Sequence, residues 1–140
     1  MPRARADKHL VNLGSTKPRG VRAVLKFVDL ERDRAYGVEL HIATRSVRPR
    51  LMGALWIHGE TFKLLAPRLR DLAEGLCEEV VLVAEAQDTS VRLVRGDGTP
   101  SVVISRPARR EEPAREVSIP LEEGQLAELA AFLADVARRL

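Results

Sequence analysis

The sequence predicts an α+β fold made of two tandem antiparallel β-sheet-plus-helix repeats, ββββα-like, with the helices packed together behind curved sheets. Three observations predict it. Short runs with apolar residues at every second position fill most of residues 21–58 and 79–119. Each group of runs is followed by a stretch of 3.6-residue periodicity. Finally, the end of the first half repeats in the second at an offset of 64 residues.

The first half opens with residues 1–20, which carry Pro2, Gly14, Pro18 and Gly20 among five basic residues. They predict a flexible basic arm, with a short strand at 8–13 as the one candidate element. Strands are expected at about 21–30, 36–46 and 51–58. In the middle one, Val38, Leu40 and Ile42 share one face and Glu39, His41 and Ala43 the other. After Gly59 the period changes, and Phe62, Leu65, Ala66, Leu69, Leu72, Ala73 and Leu76 form one helical stripe. Pro67 either kinks this helix or stands in the first turn of its regular part. The first repeat thus spans residues 21–77.

The second repeat, 78–140, predicts strands at 79–86, 90–95, 101–106 and 115–119, with Gly96-Asp97-Gly98 as a turn. A last helix is expected from about Glu122 to Leu140, with Leu126, Leu129, Ala130, Leu133, Val136, Ala137 and Leu140 on one face. At the 64-residue offset, Leu55 and Ile57 fall on Ile119 and Leu121, and Phe62, Leu65, Leu69, Leu72, Ala73 and Leu76 on Leu126, Leu129, Leu133, Val136, Ala137 and Leu140. Because the match runs through a strand-to-helix junction, it favours internal duplication over two helices that merely share a periodicity.

Charge separates the halves. Residues 1–70 hold 15 Lys and Arg against 6 Asp and Glu, whereas residues 71–140 hold 8 against 14. A basic half beside an acidic one fits either a polyanion-binding face or two halves that attract each other. The composition, 45% hydrophobic over 140 residues, supports a buried core without any apolar run long enough to span a bilayer. Cys77 is the single cysteine, so no intrachain disulfide forms. The expectation is a cytoplasmic chain with no membrane partner.

No residue pattern matches a catalytic triad, paired acid–base carboxylates or a phosphate-cradling loop. His9, His41 and His58 lack a further ligand at suitable spacing, so neither metal nor cofactor is expected. Cys77 reads as a buried thiol. The chain therefore reads as a non-enzyme.

The segments ALWIHGETFKLLAPRLRDLAEGL (54–76) and VSIPLEEGQLAELAAFLADVARRL (117–140) each look like a last strand, a polar junction and a helix. In this plan the chain resembles the PUR, PC4 and Whirly group of single-stranded nucleic-acid binders. The resemblance is one of element order, covers about residues 21–140, and involves few aromatics. It implies paired strand-and-helix units, helix packed on helix, and sheets that carry basic and aromatic residues to a nucleic acid.

Strand alternation selects the residues. With Leu25, Phe27, Leu40, Ile42, Leu55 and Ile57 inward, the free face bears Arg22, Lys26, His41, Arg45, Arg48, Arg50, Trp56 and His58. Cations of this kind contact phosphates, and an indole offers a base a stacking surface. The competing reading puts Trp56 in the core and leaves the arginines as solvated surface. Single-stranded DNA or RNA is thus the expected partner, and a homodimer is compatible with the plan. The alternative is a small protein-interaction module, immunity- or adaptor-like, with no nucleic-acid ligand.

Overall fold

A computed structural model describes residues 9–32, 35–47, 50–82, 89–96, 98–108 and 110–138. The first sheet has the order β1 (His9–Gly14), β2 (Arg22–Arg32), β3 (Ala35–Arg45) and β4 (Met52–His58), all antiparallel. Two helices follow, α1 (Gly59–Lys63) and α2 (Leu65–Ala73). The second sheet runs β5 (Glu79–Val81), β6 (Ser90–Val94), β7 (Ser101–Arg106) and β8 (Arg115–Pro120), again antiparallel, and α3 (Gln125–Ala137) closes the chain. The fold is the expected pair of sheet-plus-helix units.

The central pair of strands keeps one register in both units at the 64-residue offset. Phe27 stands opposite Leu40 and Lys26 opposite His41. Adding 64 gives Val91 opposite Ile104 and Ser90 opposite Ser105, the pairs observed between β6 and β7. The last strand follows less closely: Val38 faces Ile57, but Val102 faces Ile119, two residues short of the same offset.

Both halves share one core. Helices α2 and α3 pack on each other, and α2 also touches β5 and α3 touches β1, so the two units meet in one core. Leu13, Leu25, Leu40, Leu69, Leu93, Ile104, Leu129 and Leu133 are fully buried within this cluster. The Phe27 ring joins sheet to helices, with its centroid 6.1 Å from that of Phe62, edge-on, and 5.4 Å from that of Phe132.

The structure refines the expected elements, bearing out the candidate strand near 8–13 and the first-turn placement of Pro67 while moving other boundaries. Residues His9–Gly14 form β1, fully paired with β2, and so belong to the first repeat rather than to an arm; residues 1–8 lie outside those described. The first helix is broken at Leu64, whose N–H bonds to Thr61 O at 3.0 Å; Pro67 then falls in the first turn of α2, where its missing N–H costs no helical bond. The stripe ends early as well: Gly75 turns left-handed at φ 82°, leaving Ala73 exposed and Leu76 69% exposed. In the second half α3 starts at Gln125 because Gly124, at φ 87°, cannot continue a helix backwards. Cys77 is half-buried, its Sγ 3.9 Å from Arg68 O.

Candidate functional site

Register decides which side chains share the outer face of the first sheet. Leu10, Lys26, His41 and Ala54 form one row across β1 to β4. Asn12, Val24, Ala43 and Met52 form the next, and Gly14, Arg22 and Arg45 the third. Ala23, Leu25, Phe27, Leu40 and Ile42, the alternate positions, are buried. The sheet therefore brings Arg22, Lys26, His41, Arg45, Trp56 and His58 onto one face, as alternation predicted. Trp56 is half-buried on that face and does not fill the core.

Arg45 and Arg50 flank the β3–β4 connection, which is held by a buried clamp. Thr44 N–H donates to Leu51 O at 3.0 Å, and Leu51 N–H donates to the Thr44 hydroxyl at 2.9 Å. Ser46, at φ 63°, starts the turn just outside the clamp. Both arginines are exposed, and Arg48, between them, lies outside the described residues.

The charges on this face are poorly compensated. Arg22 stands directly opposite Arg45 across β2 and β3. Like charges in cross-strand register repel. Among the described residues neither they nor Lys26 has a carboxylate within ion-pair distance; Arg22 Nη1 makes only a long bond, 3.5 Å, to Gly20 O. The one described acid on the face is Glu39, whose Oε1 is 3.2 Å from His41 Nε2.

Sequence reasoning put Glu39 on the same face as His41 but did not include it among the site residues. Glu39 also faces Trp56, whose ring lies 6.2 Å from that of His58 in an edge-on contact. His41 and His58 are not partners: His41 faces Ala54 and His58 faces Gly37. Among the described residues no group of three or more His, Cys, Asp or Glu is placed to hold a metal ion.

A depression of about 480 Å³ opens at the centre of the face, bordered by Leu10, Val24, Lys26, His41, Arg45 and Met52. It forms because short Val24 and Ala43 sit between longer neighbours. The second sheet carries a depression of about 500 Å³, lined by Ser90, Ser105, Arg106, Arg115 and Glu116. Arg106 and Arg115 stand opposite each other along it, with Arg106 Nη1 3.9 Å from Glu112; beside it Arg92 lies 3.6 Å from Glu79 and 3.1 Å from Glu116, and the Ser105 hydroxyl donates to Glu116 at 3.1 Å.

Comparison of the chain with protein-family models, curated proteins and solved structures found no match. Among the described residues, no helix is long and apolar enough to cross a membrane.

Proposed function

We propose that the chain binds single-stranded DNA or RNA through the outer face of β1 to β4. The observation that carries this reading is the Arg22–Arg45 pair, two cations in direct cross-strand register without a described counter-charge. Such a pair is stabilised by an anion laid across it, and a phosphate backbone supplies anions in series. Lys26 and Arg50 extend the cationic area in both directions. The second sheet also sets two arginines in cross-strand register, Arg106 opposite Arg115, but there Arg106 has Glu112 at 3.9 Å and the neighbouring Arg92 is paired with Glu79 and Glu116, so its cations are better compensated. The element order shared with PUR, PC4 and Whirly proteins agrees with this reading.

Titration of a fluorescently labelled oligonucleotide tests it. Binding should weaken steeply with added salt, because each phosphate contact releases counterions. Absence of binding to any single strand at ~50 mM salt would reject the function. Exposed Leu10 and Met52 beside the cations keep a protein-interaction module as the second reading. A partner retained after nuclease treatment would favour it.

A further inference from the structure

We infer that the central depression of the first sheet seats one unpaired nucleobase, with Leu10 and Met52 as its walls, a site that rests on the single-strand reading. The floor is the Val24–Ala43 pair. On one side along the strands lies the Lys26–His41 pair and on the other Arg22–Arg45. Across the strands, Met52 on β4 stands directly beside Ala43, while on the β1 side Asn12 stands beside Val24 and Leu10, next to Lys26, borders the depression at its corner.

Leu10 and Met52 are 56% and 53% exposed. Large apolar side chains held this far open, on either side of an apolar floor, lose little water by themselves and gain most when a flat apolar body enters between them. The volume of about 480 Å³ suits a small ligand moiety. Charge complementarity then selects among flat bodies: cations on two opposite sides fit a ring whose chain carries a phosphate before and after it. A base within a duplex is stacked and paired, so it cannot enter.

Trp56 is not part of this seat. Its ring is met by His58 and faces Glu39 across the strand pair, and it does not border the depression. The second unit lacks the equivalent seat: its depression is lined by Ser90, Ser105, Arg106, Arg115 and Glu116, and Glu116, opposite Ser105, brings a carboxylate to it.

The test uses the full chain and three labelled probes: oligothymidine of ~12 nucleotides, an abasic oligonucleotide of the same backbone length, and a duplex. Oligothymidine should bind roughly tenfold tighter than the abasic probe, and the duplex no better than the abasic one. Leu10→Ala with Met52→Ala should bring oligothymidine down to the abasic level while leaving abasic binding and its salt slope unchanged. Both positions are exposed, and circular dichroism checks that the fold is kept. Equal binding of oligothymidine and abasic probe overturns the seat but leaves phosphate binding standing. Full displacement of oligothymidine by poly-glutamate of equal charge also overturns it. Failure of all three probes at low salt rejects the underlying function, and the seat with it.

Discussion

The side-chain amide of Gln125 meets both polar groups of the Gly14 backbone, accepting the Gly14 N–H at 2.8 Å and donating to the Gly14 carbonyl at 2.9 Å. Its oxygen also accepts the Glu122 N–H at 2.9 Å. The first turn of α3 is thereby tied to the end of β1, 111 residues earlier in the chain. Gly14 is buried, so its N–H and carbonyl have no water to fall back on.

Replacing Gln125 with leucine should therefore cost about 2–4 kcal/mol, since it orphans a buried donor and a buried acceptor at once. Urea unfolding measures this. A variant as stable as the parent would show that the two halves do not depend on this junction.

Gly14 itself admits no side chain. Its φ is 118°, and a Cβ would stand 2.8 Å from Ile119 Cγ2 and from Val21 O. Gly14→Ala should lower stability by about 3 kcal/mol, combining backbone strain with overlap in the core. A lowered Tm with unchanged single-strand affinity at low temperature is the expected result.

Arg45→Glu with Arg50→Glu should reduce single-strand affinity at least about tenfold and flatten its salt dependence by about 0.7 in log–log slope for each phosphate left unneutralised. Both side chains are exposed, so stability should hardly change. Unchanged affinity would place binding elsewhere on the molecule.

Arg92→Ala is the matched change on the second sheet. Its ion pairs are partly exposed and screened by solvent, so less than ~1 kcal/mol of stability is at stake. Affinity for single strands should stay as it was. A drop comparable to that of the Arg45 and Arg50 variant would mean that both sheets contact the ligand.

Trp56 is the single tryptophan and lies on the proposed face, so its emission should change as oligonucleotide is added. Trp56→Phe should nevertheless keep affinity within a factor of about three, less than the ~1–3 kcal/mol of a full base stack. A larger effect would make the indole, not the Leu10–Met52 seat, the stacking surface.

Strand parity was legible in the sequence because β3 and β4 each bury one face: Val38, Leu40 and Ile42 alternate with polar or small residues, and Ile57 with Trp56 and His58. That alone placed six of the eight expected site residues on one surface. What escaped was set by tertiary contact. The candidate strand at 8–13 was legible, but its membership of the first sheet was not, since that rests on pairing with β2 and the Gln125 clip. Leu76 continues the apolar period, yet a left-handed Gly75 takes it out of the helix. Leu10 and Met52 look like ordinary sheet hydrophobics, and their exposure follows from an uncovered face that no local pattern records.

Because α2 and α3 pack face to face in one core that takes residues from both sheets, a cut between the halves should yield two incomplete fragments and not two smaller proteins. Each would expose the apolar helix face that now packs against the other, and would be prone to associate through it.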